Sequence, residues 1–126
     1  MPEKERLIWL FFRFSGRVNR AAYILGFLFM TVVMSFPLYQ FMRVPVESDA
    51  ARIWSLIFGV TILGFIWVHL AFSVKRLHDI DKPGIISLAL FVPFISIVAF
   101  IALCIIPGTP GPNRYGHLPN APARKA

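Results

Sequence analysis

Three long apolar runs, almost free of charge, alternate with short polar segments along the chain. They cover residues 21–41, 53–74 and 85–106. At ~1.5 Å per helical residue each reaches about 30 Å, the thickness of a bilayer's hydrocarbon core. The pattern predicts an all-α membrane protein with three transmembrane helices. A basic, aromatic lead (residues 1–20) precedes them, and an irregular Pro/Gly-rich tail (residues 107–126) follows.

The lead reads MPEKERLIWLFFRFSGRVNR. Its apolar part is too short to span. At roughly 100° per residue, Arg6, Arg13, Arg17 and Arg20 fall within about 60° of one another on a helical wheel. That predicts a short amphipathic helix in the membrane interface, with Trp9, Phe11, Phe12 and Phe14 turned to lipid and a break near Ser15-Gly16. The first span carries Ala22-x-x-x-Gly26 and the second Ser55-x-x-x-Gly59, small-residue patterns that allow helices to approach closely. The first span is expected to end near Pro37. Pro93 sits in the third and predicts a kink, because proline lacks the backbone donor a helix needs. The tail is expected to be disordered or folded back on the domain.

Composition sharpens this picture. The chain has 126 residues, 57% of them hydrophobic, with no room for a separate soluble domain. It carries 13 Lys and Arg against 6 Asp and Glu. These lie outside the apolar runs, where they set topology and meet anionic lipid headgroups. No aromatic-basic platform for nucleic acid is present. The single cysteine, Cys104, makes no internal disulfide, and no Cys/His cluster has metal-ligand spacing, so neither metal nor other cofactor is expected. Five Lys and Arg precede the first span and two lie in the first loop. The positive-inside rule then puts the N-terminus in the cytoplasm and, with three full spans, the tail outside. A third segment made re-entrant by Pro93 would instead return the tail to the cytoplasm.

Polar side chains at the ends of the runs are the candidate sites. If the second helix continues past Val74, Arg76 and Asp79 lie one turn apart and pair, with His78 to one side. This cluster is either a self-paired helix end or a site for a headgroup or small anion. Arg17, Asn19 and Arg20 are expected to pack against residues 76–79, where Asp79 offsets their charge. His69 is the one ionisable residue inside a predicted span; it suits hydrogen bonding or interfacial placement better than proton relay. Asn113, Arg114 and Tyr115, between Gly111 and Gly116, suit a folded cap. No serine, cysteine or metal cluster accompanies His78 and Asp79, so no catalytic residues are assigned.

Three short runs carry a family resemblance: FRFSGRVNRAAY at 12–23, RLHD at 76–79 and PGTPGPNRYG at 107–116. In this order, across about residues 7–119, the chain resembles the YhaH-like family of small bacterial inner-membrane proteins, domain of unknown function 805. The resemblance implies a bacterial plasma membrane and a helical membrane domain. It implies no activity. The chain departs from the family pattern at Ile24, where an aromatic commonly stands, and at residues 82–86, where a more polar turn and a tryptophan are usual. The reading is therefore a structural, accessory or anionic-lipid-interacting protein that is not an enzyme. It would associate with membrane lipids and with a second copy or another membrane protein. The alternative is a subunit of an oligomeric small-molecule or ion path.

Overall fold

The computed structural model describes residues 2–122. Among these residues all regular structure is helical: α1 (Glu3–Phe12), α2 (Arg20–Met42), α3 (Asp49–Asp79), a 3-10 segment (Gly84–Phe91) and α4 (Ile95–Ile105).

Helices α2 and α3 are the two long and apolar enough to cross a membrane. Side chains cap both starts. Asn19 Oδ1 accepts from the Ala22 amide at 2.8 Å, and Ser48 Oγ from the Ala51 amide at 3.1 Å. These are the roles of an Asn or Ser that opens a helix. Pro37 does not end α2, which runs on to Met42. The helices pair antiparallel through Tyr23 with Ser73, Phe27 with Phe65 and Phe36 with Trp54. Gly26 is where they come closest: a Cβ there would lie 2.6 Å from the Phe72 ring. The Ala22/Gly26 pattern thus works as expected. Ser55/Gly59 does not, since nothing lies within 4 Å of a Cβ at Gly59.

The third apolar run is not one continuous helix. Pro93 lacks an amide hydrogen, and Phe94 adopts a left-handed φ of 66°, so the chain turns there. The 3-10 segment and α4 each measure ~16 Å, about half of a bilayer core. Gly84 enters against Val74 and His78, and the Ile106 carbonyl leaves beside Arg76. Both arms thus begin and end at the same end of the α2–α3 pair. Residues 85–106 form a hairpin of two short arms where one continuous helix was expected, and neither arm alone is as long as a bilayer core is thick. The tail returns to the end where Arg17 lies, so it is not separated from the N-terminal segment by the thickness of the bundle.

The N-terminal arginines do not form one helical stripe, because α1 stops at Phe12. Nor does the whole aromatic face turn outward. Trp9 is buried, Phe11 packs on Phe29 and Phe72, and Phe14 packs on Trp67. Phe12 remains exposed.

Candidate functional site

The polar end of the bundle is built on the last turns of α3. That helix continues through Asp79, which puts Arg76 and Asp79 on one face. Arg76 Nη1 meets Asp79 Oδ2 at 2.6 Å. The other carboxylate oxygen is taken by Arg17. Its Nε and Nη2 approach Asp79 Oδ1 at 3.0 and 2.9 Å. All three residues are buried.

Two cations share one carboxylate, and backbone carbonyls supply the remaining negative charge. Arg17 donates from Nη1 to Gly111 and Gly116, at 2.7 and 3.2 Å, and from Nη2 to Thr109 at 2.7 Å. Of the five N–H donors of a guanidinium, four of Arg17's make hydrogen bonds within the protein, and Nη2 is also in ion-pair contact with Asp79. Arg76 donates to the carbonyls of Leu103 (2.8 Å) and Ile106, and Arg20 to that of Ile105 at 3.1 Å. These carbonyls end α4, where the last turn lacks intrahelical donors and carries the negative end of the helix dipole.

Lys75 does the same for α1. Its ammonium donates to the carbonyls of Trp9 (2.8 Å) and Leu10, with the Trp9 ring centroid 4.5 Å away and the Phe72 ring centroid 5.3 Å away. A buried ammonium without a carboxylate is tolerable when carbonyls and ring faces replace its hydration.

The tail folds as a lid over these charges. The Thr109 amide donates to the Asp79 carbonyl, and the Asn120 amide to the Arg17 carbonyl, each at 2.7 Å. Gly108 presses on the Asp79 carboxylate so closely that a Cβ there would overlap it. Asn113 donates to the His78 carbonyl at 2.8 Å and accepts from the Tyr115 amide at 2.8 Å. The Tyr115 ring stacks on His78, centroids 4.0 Å apart and planes nearly parallel. His78 Nδ1 lies 3.0 Å from the Gly16 carbonyl. At the rim Arg114 pairs with Asp81 at 3.1 Å, and that hydrogen bond and charge push the guanidinium above its ordinary pKa.

Arg17, Arg76, His78, Asp79, Asn113, Arg114 and Tyr115 therefore meet at one end. Asn19 caps α2, and its amide bonds Asn120 Oδ1 at 3.0 Å. Arg20 reaches α4 rather than Asp79. His69 lies apart, among aromatic rings between α2, α3 and α4. Two participants, Lys75 and Gly108, are not among the candidates read from the sequence, and a third, Trp9, is expected to face lipid but is buried. Gly108 read as one of several tail glycines, though the tight PGTPG run around it was a usable signal.

The arrangement is an all-helical membrane protein with two long apolar helices, a shorter apolar hairpin and a self-contained polar cap. The chain belongs to the family described as "Protein of unknown function (DUF805)", which it matches over residues 11–117. It is similar to inner membrane protein YhaH of Escherichia coli (strain K12), 29% identical over 105 residues, covering 82% of this chain and 84% of that one. A 50-residue stretch is 44% identical to inner membrane protein YhaI of the same strain; it covers 40% of this chain and 42% of that protein. The chain thus spans less than half the length of YhaI. No solved structure matches it.

Proposed function

We propose that this chain is a non-catalytic structural or accessory protein of the bacterial inner membrane. In this reading both termini lie in the cytoplasm, and the cap's rim contacts anionic lipid headgroups. The observation that carries it is the saturation of the cluster. Asp79 has both oxygens occupied, and the buried Arg17 guanidinium makes four hydrogen bonds and an ion pair inside the protein. A group held this way has nothing left for a substrate or a free anion, so the cluster holds the fold and leaves binding to its surroundings.

Charge supports the orientation. Arg17, Arg20, Lys75, Arg76, Lys82 and Arg114 gather at the cap end against Asp79 and Asp81. The far loop carries only Arg43 and Arg52, balanced by Glu47 and Asp49. The positive-inside rule places the richer end in the cytoplasm. Arg20 and Lys82 are exposed where helices emerge, the level at which anionic headgroups lie.

The test is thermal melting in nanodiscs of phosphatidylcholine with or without phosphatidylglycerol. Anionic lipid is expected to raise the melting temperature of the wild type, and Arg20→Gln with Lys82→Gln to remove most of that gain. Equal melting in both lipids would overturn the headgroup reading. Paired reporter fusions at the C-terminus test the orientation independently; activity of the external reporter alone would refute it.

A further inference from the structure

His69 is the polar residue that the cap does not explain. Four aromatic rings surround it. Those of Tyr23, Phe27, Phe65 and Phe100 have centroids 5.6 to 6.2 Å from its own, and Phe65 stacks nearly parallel to it. Tyr23 has its hydroxyl committed to Ser73 at 2.9 Å. Among the described residues no hydrogen bond reaches the His69 ring, yet no buried polar side-chain atom lacks a partner. Its nitrogens are therefore not sealed inside the protein. His69 lines a groove of about 320 Å³, bounded with it by Phe27, Leu90, Ser96, Ile97 and Phe100.

The groove's position sets what can enter it. Its outer wall is the hairpin, through Leu90 on one arm and Ile97 and Phe100 on the other. His69 lies ten residues before the end of α3, ~15 Å along the helix axis from the cap. A ligand there arrives from the bilayer. Aromatic walls favour a flat ring over a flexible acyl chain. A neutral imidazole offers one N–H donor and one acceptor, and Ser96 adds a hydroxyl to the same groove. A ring that carries a carbonyl accepts from the donor, and its hydroxyl form donates to the acceptor. An ionisable group at this depth is costly to keep without a partner.

We infer that the groove between His69 and the hairpin binds a lipid-soluble ring ketone of the membrane-quinone class, with His69 as the hydrogen-bonding residue. Phe27 and Phe100, packed on each other with centroids 4.6 Å apart, form one aromatic wall against the ring, and an apolar tail leaves between the hairpin and lipid. The assignment concerns binding alone and is independent of the headgroup reading.

The test uses the full chain in quinone-free phosphatidylcholine nanodiscs, titrated with decylubiquinone and followed by quenching of tryptophan fluorescence. Saturable quenching is expected for the wild type. His69→Leu should weaken it at least tenfold, and His69→Gln, which keeps a donor, should restore part of the affinity. Ile97→Trp fills the groove without touching His69 and should abolish saturable quenching. It keeps the test decisive if His69→Leu does not fold. Quenching that rises linearly in the wild type, as for simple partition, would overturn the inference. So would unchanged affinity in Ile97→Trp, or displacement of the probe by an equal amount of diacylglycerol, which would mark an ester-lipid site instead.

Discussion

Arg17 and Asp79 are 62 positions apart in the chain, yet two nitrogens of the arginine converge on one carboxylate oxygen at 3.0 and 2.9 Å. The contact joins the segment before α2 to the last turn of α3, and the same guanidinium holds the tail through three carbonyls. A buried pair is not in itself strong evidence of stability, because desolvation offsets much of the attraction. Breaking one side is different: it strands the other charge.

Asp79→Asn should therefore cost about 3–5 kcal/mol, since two buried guanidinium groups lose their shared anion. Equilibrium unfolding in mixed detergent and sodium dodecyl sulfate measures this. Arg17→Lys should lose most of the same stability, as an ammonium has three donors where the guanidinium makes four hydrogen bonds in a fixed fork. The double variant Arg17→Met with Asp79→Leu should recover only part, because the carbonyls of Thr109 and Gly111 lose their Arg17 donor and Arg76 loses its carboxylate. Asp81→Asn, in an exposed pair with Arg114, should change stability by less than about 1 kcal/mol. Equal effects at Asp79 and Asp81 would remove the cap's claim to organise the fold.

Two tail glycines are expected to behave differently. Gly108 lies against a carboxylate gripped at both oxygens, so Gly108→Ala forces apart groups that have no slack. A cost of about 1–3 kcal/mol follows from such overpacking. Gly111 has open space around it but a φ of 76°, so Gly111→Ala incurs only the left-handed penalty, about 1 kcal/mol. Tryptic cleavage after Arg114 reports how firmly the tail sits. It should accelerate more in Gly108→Ala than in Gly111→Ala, and the reverse order would contradict the packing described.

What the sequence revealed follows the range of each force. Residues 21–41 and 53–74 announce themselves because burial in lipid needs an unbroken apolar run, which is a local property. The Arg76–Asp79 pair was legible for the same reason, as one turn of helix decides it. The third run misled because composition reports hydrophobicity and not path: residues 85–106 are apolar enough to cross, yet Pro93 and the left-handed Phe94 turn them back. The partners of Arg17 and Lys75 were out of reach. Both cations are satisfied largely by backbone carbonyls, at Gly111, Gly116 and Thr109 for one and at Trp9 and Leu10 for the other. Carbonyls occur at every position and leave no signature in residue types. Trp9 looked like a lipid anchor because nothing in the lead foretells an ammonium beneath its ring.

Lys75 gives a third prediction. Lys75→Met keeps the length of the side chain and removes the ammonium, leaving the Leu10 carbonyl without that donor and the Trp9 carbonyl with only the Arg13 amide. Charged hydrogen bonds of this kind contribute about 1.5–3 kcal/mol, spent here on holding α1 to α3. The variant should release α1 while α2 and α3 stay paired. Trypsin should then cut after Arg6 and Arg13 faster than in the wild type, and tryptophan emission should shift to the red as Trp9 is exposed. Unchanged proteolysis would mean that Phe11 on Phe72 and Phe14 on Trp67 suffice to hold the helix.

The hairpin gives the fourth. Its tip is Phe94, 83% exposed from the protein and ~16 Å from the cap by the length of either arm. Each arm is about half as long as a bilayer core is thick, so the tip should rest in the membrane interior and not emerge on the far side. In a Cys104→Ser background, single cysteines at Val46, Phe94 and Leu118 separate the two paths. A membrane-impermeant maleimide should label Val46→Cys from one face and Leu118→Cys from the other. Phe94→Cys should resist it from both faces and react with a lipid-soluble maleimide. Labelling of Phe94→Cys from the same face as Val46→Cys would mean that the segment reaches the far surface. Because the Arg17 and Arg76 contacts hold the tail at the cap, the chain would then need to pass through the bilayer twice within 22 residues. Two arms of ~16 Å cannot accomplish that across a core of about 30 Å.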